Sequence, residues 1–133
     1  MKKLISPLTE EWLAKAKSDL QYAQASFKEF DNFYPQICIL CHDSAEKYFK
    51  TYLCSKAIDF PKTHDLVVLA KMCALSKASK KVELCAIELN GYYIPLKYPS
   101  HYPPVKREQA LKAIEDAKAI EKFILGKLRL KVF

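Results

Sequence analysis

The apolar residues of this chain recur at helical spacing in five successive segments. The pattern is clearest in the first segment, where residues three or four positions apart are apolar or small: Trp12, Ala16, Leu20, Ala23 and Phe27. That spacing places them on one face of an α-helix. We predict a helix from about Leu8 to Glu29, with Thr9 as its cap and the segment FDNFYP after its end.

The second segment predicts a helix from about Phe33 to Ala57. Pro35 fits only in its first turn. One line of this helix carries apolar or small residues: Ile37, Cys41, Ala45, Tyr48 and Tyr52. The opposite side carries charged residues: Asp43, Glu46, Lys47 and Lys50. We expect Glu46 and Lys50 to form a surface ion pair at i, i+4 spacing, which contributes about 0.3 kcal/mol.

Three further helices complete the pattern. Thr63 is predicted to cap the third, with Asp65 in the first turn, where the helix dipole favours a carboxylate. The fourth runs from about Lys80 to Leu89, and the fifth runs from Pro104 or Val105 to about Leu128. The predicted fold is all-α, an up-and-down antiparallel bundle of four long helices plus one shorter helix. We expect residues 1–133 to form a single domain.

The composition narrows the set of partners. Two glycines and a net charge of +7 agree with a helical, basic protein that attracts polyanions. Only two of the 22 basic residues are arginines, Arg107 and Arg129. Arginine is the residue that grips bases and phosphates with two parallel hydrogen bonds. We therefore expect no sequence-specific binding to DNA. Most of the lysines are explained as a solvated surface.

The five cysteines indicate a reducing compartment. Their number is odd, no apolar leader precedes them, and no segment is long and apolar enough to span a membrane. We expect a cytoplasmic protein with mostly buried thiols. The segment CILCH at 38–42 matches the C-x-x-C-H pattern of haem attachment, and Cys38, Cys41 and His42 could be metal ligands. A core role on the second helix explains them better, so we predict no metal and no cofactor.

The segment IPLKYPSHYPP at 94–104 interrupts the helical pattern. Its prolines stiffen a crossing between the fourth and fifth helices. It is either an ordered connector or a site that presents Lys97, Tyr98 and His101. A cation beside a histidine suits a phosphate ester, and an aromatic ring can stack on a base. Glycine-rich phosphate loops and nucleophile elbows do not occur in the sequence.

The segment FPKTHDL at 60–66 places His64 at the start of the third helix. This histidine either closes the helix end locally or serves as a hydrogen-bonding or proton-transfer group at the edge of a cleft. Lys47 and Lys50 on the second helix are the nearest candidate phosphate contacts. The predicted nucleotide-binding residues are Lys97, Tyr98, His101, His64, Lys47 and Lys50, with His101 and Lys97 as catalytic candidates.

Three segments in this order resemble one known family: AEKYFKTYL on the second helix, then FPKTHDL, then Lys97-Tyr98-Pro99 before a last helix. From about Trp12 to Leu128 the chain resembles the HEPN domain family, in particular the small prokaryotic members encoded beside minimal nucleotidyltransferases. The resemblance implies a helical bundle that forms a homodimer with a cleft near the subunit interface. It also implies a nucleotide-binding domain that acts with a nucleotidyltransferase in a toxin–antitoxin-like pair.

Many members of the family are ribonucleases with an arginine followed, after four to six residues, by a histidine. This chain has Lys97 at that place, and His101 follows after three residues. The primary expectation is therefore a binding module for a nucleotide or RNA, and enzymatic activity is not part of it. A metal-independent endoribonuclease with a degenerate motif is the alternative, and a plain interaction scaffold is the third hypothesis.

Overall fold

The computed structural model describes residues 6–73, 80–92 and 104–129. These ranges contain five α-helices and no β-strand. The helices are α1 (Pro7–Glu29), α2 (Tyr34–Ser55), α3 (Leu66–Cys73), α4 (Lys80–Asn90) and α5 (Arg107–Lys127). The predicted all-α bundle is confirmed, and α3, with eight residues, is its shortest helix.

Helix α2 is the centre of the bundle. It packs against α1 on one side and α5 on another, while α3 and α4 close the remaining side. Only residues 30–33 join α1 to α2, and so short a connection makes neighbouring helices antiparallel. The largest fully buried side chains come from all five helices and include Tyr48, Phe49, Leu20, Leu66, Leu89 and Ile120.

Two predicted helix caps are wrong by two or three residues. The cap of α1 is Ser6, whose hydroxyl accepts from the N–H of Thr9 at 3.2 Å. Thr9 itself is buried, and its hydroxyl donates to Cys54 Sγ at 3.2 Å. At α3, Asp65 accepts from the N–H groups of Val67 and Val68. The predicted cap, Thr63, instead accepts from the N–H of Asp65.

The charged side of α2 does not face solvent as predicted. Glu46 and Lys50 are both buried, with 7% and 6% of their surface exposed. They form the expected i, i+4 ion pair at 2.8 Å. Because α2 is surrounded by other helices and by the loop before α3, its polar side is covered as well as its apolar side. A buried pair of this kind has far larger energetic consequences than a surface pair.

The five cysteines are free thiols, as predicted. Four are buried, and Cys54 is partly exposed. Burial raises the pKa of Cys38 and that of Cys73 to about 12. These thiols therefore act as small core residues and not as nucleophiles. Among the described helices, none combines the length and the apolar character that crossing a bilayer requires.

Candidate functional site

A stripe of polar residues on α2 faces the loop that carries His64. His42, Glu46 and Lys50 are spaced four residues apart, so they lie one above another along the helix. His64 immediately precedes the cap of α3. The loop before α3 therefore covers a charged line of the central helix.

His42 fixes the backbone at His64. Its ring is fully buried, and Nε2 lies 3.0 Å from the backbone carbonyl oxygen of His64. A carbonyl can only accept, so Nε2 carries the hydrogen and donates it. This contact ties the loop before α3 to α2 across 22 positions of the sequence.

Glu46 holds the imidazole ring of His64. Its Oε1 lies 2.9 Å from His64 Nδ1. The carboxylate accepts, so Nδ1 is the protonated nitrogen, and in the neutral ring Nε2 is then the nitrogen that can take up a proton. The His64 side chain is 58% exposed while its carboxylate partner is buried. This arrangement can position an imidazole for hydrogen bonding or proton transfer to a bound molecule.

Lys50 is enclosed by two aromatic rings and Glu46. Its Nζ donates to Glu46 Oε2 at 2.8 Å. It also lies 5.6 Å from the centre of the Trp12 ring and 5.8 Å from that of Phe60. Those two rings meet edge to face. Lys50 thus neutralises and orients Glu46, and any phosphate that contacts Lys50 must compete with that carboxylate.

Lys47 points to a different neighbour. Its Nζ donates to Asp19 Oδ2 on α1 at 2.5 Å, and both side chains are partly exposed. The structure therefore brings His64 and Lys50 together through Glu46, and it pairs Lys47 with α1. Lys47 and Lys50, both predicted to meet phosphates, thus each have a carboxylate partner already.

Asn90 places the end of α4 beside the start of α3. Its Oδ1 accepts from the N–H of Leu66 at 2.9 Å, and its amide nitrogen donates to Asp65 Oδ1 at 3.1 Å. The chain thus leaves α4 next to the residue that follows His64. Lys97, Tyr98 and His101 lie outside the described residues.

Two residues of this cluster were not predicted as site residues. Both His42 and Glu46 precede Lys50 at steps of four. That spacing is visible in the sequence as H-x-x-x-E-x-x-x-K, a polar stripe on a helix that also has an apolar line. The residue that this stripe meets, His64, is 22 positions from His42 and 18 positions from Glu46, and only the fold brings it there.

A second polar cluster joins α4 to α5. Lys112 Nζ contacts Asp116 Oδ1 at 2.6 Å and Glu88 Oε2 at 3.0 Å. Burial, and then the hydrogen bond with Glu88, raise the pKa of Asp116 to about 6, although Lys112 lowers it. Interaction with Asp116 and with Lys112 lowers the pKa of Glu88. Two carboxylates thus share one ammonium group.

The raised pKa of Asp116 makes stability depend on pH. An unfolded aspartate has a pKa of about 3.9, so between about pH 4 and pH 6 the folded chain binds the extra proton. The free energy of unfolding should therefore fall as pH rises through this window. From about pH 4 to pH 6, the wild type should lose about 1–2 kcal/mol of unfolding free energy relative to Asp116→Asn. Urea titrations of both proteins at several pH values measure it, and a parallel pH dependence of the two would contradict it.

Comparisons with known proteins agree with this architecture. A family model described as the HEPN domain matches residues 9–128. TT1696 from Thermus thermophilus superposes with a TM-score of 0.75 and 25% identity, over 90% of this chain and 97% of that one. ST0689, described as an archaeal HEPN homologue, gives a TM-score of 0.72 and 25% identity over 96% and 98%. None of the curated proteins matches significantly.

Proposed function

The chain belongs to the HEPN domain family, and on that premise we propose that it binds nucleotides through a site at the start of α3. The observation that carries the proposal is the His64 imidazole, held by the buried carboxylate of Glu46 at the point where α4 ends. Lys97, Tyr98 and His101 follow that point in the chain. Their positive charge, aromatic ring and imidazole suit a phosphate and a base.

Each group has a distinct role in this proposal. Lys97 meets phosphate oxygens as a point charge, and Tyr98 stacks on the base. His64, with a proton added at Nε2, and His101 donate hydrogen bonds to phosphate oxygens. Glu46 and Lys50 hold His64 in place beneath the ligand, and Lys47 supports the same helix from the α1 side.

Calorimetric titration with ATP tests this function. We expect binding at millimolar ATP or below, weakened about tenfold by Lys97→Ala, because a hydrogen bond to a charged group contributes about 1.5–3 kcal/mol. Lys28→Ala, at an exposed position in the last turn of α1, is the matched control and should bind ATP like the wild type. If the wild type binds no nucleotide at millimolar concentration, the proposal is wrong.

We also propose that the protein acts as a homodimer. Two large apolar residues one turn apart on α4, Leu84 and Ile87, are 63% and 55% exposed. Lysines and glutamates flank them, including Lys81 and Glu88. A face with both signs of charge can pair with a second copy of itself across a two-fold axis. Light scattering should show a dimer that Leu84→Lys converts to a monomer, and a dimer unaffected by the change would place the interface elsewhere.

A minimal nucleotidyltransferase is the proposed protein partner, in a toxin–antitoxin-like pair. Support for this step comes from family membership and the order of the three segments in the sequence. Co-expression with the nucleotidyltransferase encoded beside it, if there is one, should yield a stable complex. A complex whose formation and function are unaffected by replacing both Lys97 and His101 would favour the interaction scaffold over the nucleotide-binding module.

The second candidate function is a metal-independent endoribonuclease. The Glu46–His64 pair favours it, because a carboxylate that orients an imidazole is a common arrangement in acid–base catalysis. His101 would act as general acid or base, and Lys97 would stabilise the charge on phosphorus. RNA cleavage in EDTA that is lost in His101→Ala would support this function. Cleavage that persists unchanged in that variant would remove His101 from this role, and no cleavage by the wild type would exclude the function.

A further inference from the structure

The buried ring of His42 has an oxygen acceptor beside each of its nitrogens. Nε2 lies 3.0 Å from the carbonyl oxygen of His64, and Nδ1 lies 3.2 Å from Asp43 Oδ1. A neutral imidazole has one N–H, and the carbonyl requires it at Nε2. The Nδ1 lone pair then faces a carboxylate oxygen. A metal ion held between Nδ1 and this oxygen would suit both atoms.

Glu46 supplies a third ligand at the same place. One ligand atom each from His42, Asp43 and Glu46 lie within 4.8 Å of one another. We propose that these three residues bind one divalent transition-metal ion on the surface of α2 that faces the loop before α3. The site is distinct from the proposed nucleotide contacts, although Glu46 belongs to both clusters.

The surroundings of the three ligands match the outer shell of a metal centre. A metal-bound histidine usually donates its other N–H to a carbonyl or carboxylate, as His42 does to the carbonyl of His64. Ligating carboxylates are themselves hydrogen-bonded, and Glu46 accepts from Lys50 and from His64. Each carboxylate oxygen has two lone pairs, so these hydrogen bonds leave room for a metal bond.

The ligand set defines the class of metal. One imidazole and two carboxylates suit Zn²⁺, Co²⁺ or Mn²⁺ better than Mg²⁺ or Ca²⁺, which prefer oxygen ligands alone, and better than Cu⁺, which prefers sulfur. The neighbouring thiols of the C-x-x-C-H segment are not needed. Cys38 and Cys41 are fully buried in the hydrophobic core.

Titration of the full chain with Co²⁺ tests the site, because its absorption spectrum separates thiolate ligands from nitrogen and oxygen ligands. We expect one Co²⁺ per chain with a spectrum that lacks thiolate bands. Replacing the buried His42 can unfold the chain, so the test variant is Asp43→Asn, at a side chain that is 30% exposed. It should bind Co²⁺ at least tenfold more weakly. Asp59→Asn, on the exposed loop after α2, removes the same charge and should not change the affinity.

Three results would overturn the proposal. If no Co²⁺ binds at millimolar concentration, the cluster is not a metal site. Thiolate bands in the spectrum would place the ion on cysteines. Equal affinity in Asp43→Asn and the wild type would place it at another site.

Discussion

Replacing Glu46 with alanine is expected to lower the free energy of unfolding by about 3–5 kcal/mol, the cost of breaking a buried ion pair by removing one partner. Glu46 is the anion for Lys50, whose ammonium group is buried between Trp12 and Phe60. Without Glu46, that charge has no carboxylate in contact among the described residues. The same change releases the His64 ring, so ATP affinity should fall as well.

A second substitution separates the two effects. In Glu46→Ala/Lys50→Met the unpaired ammonium is gone, and a flexible thioether takes its place between the two aromatic rings. We expect the double variant to recover at least about 2 kcal/mol of stability, since apolar replacements of buried ion pairs are often neutral. ATP affinity should remain low, because His64 still lacks its carboxylate.

Urea unfolding followed by circular dichroism measures these stabilities. Glu11→Ala, at an exposed position in the first turns of α1, is the control and should change stability by less than about 0.5 kcal/mol. If Glu46→Ala also lowers the free energy of unfolding by less than about 0.5 kcal/mol, the ammonium group of Lys50 reaches water in solution.

Tyr48→Phe should lower the free energy of unfolding by about 2–3 kcal/mol, because it leaves a buried carboxylate without its donor. The Tyr48 hydroxyl is buried in the centre of α2 and donates to Glu121 on α5. Burial, and then the hydrogen bond with Glu121, raise the pKa of this phenol above its usual range. The hydroxyl therefore stays protonated and acts as the donor.

The companion variant Tyr48→Phe/Glu121→Leu removes both polar partners. It should be more stable than Tyr48→Phe alone, since replacing both partners with apolar groups removes the desolvation cost. Tyr22→Phe, on an exposed tyrosine, should leave stability unchanged. If Tyr48→Phe is as stable as the wild type, water must reach Glu121 in solution.

The sequence predicts the helices well and their burial less well. Apolar periodicity locates each helix within a few residues, because the period of 3.6 residues is a property of the local chain. The same periodicity assigns only one buried face to α2. That assignment is wrong for Glu46 and Lys50, because α2 lies at the centre of the bundle and its polar side is covered by the loop before α3.

The candidate site could be predicted in part. His64 stands out because the residues around it, Thr63 and Asp65, are typical of a helix start. Its partner Glu46 could not be assigned, because 18 residues and a change of chain direction separate the two. At α1, Pro7 fits the first helical position directly after Ser6, which accepts from the N–H of Thr9, while the hydroxyl of Thr9 donates to Cys54.

Nuclear magnetic resonance of the histidine rings tests the central claim most directly, namely that His64 lines the nucleotide site. The chain has three histidines, so their ring signals can be assigned by single substitutions. On addition of ATP, we predict shifts in the ring signals of His64 and His101, and none in those of the buried His42. Saturating ATP that leaves the His64 signals unchanged, or that moves only those of His42, would contradict the account.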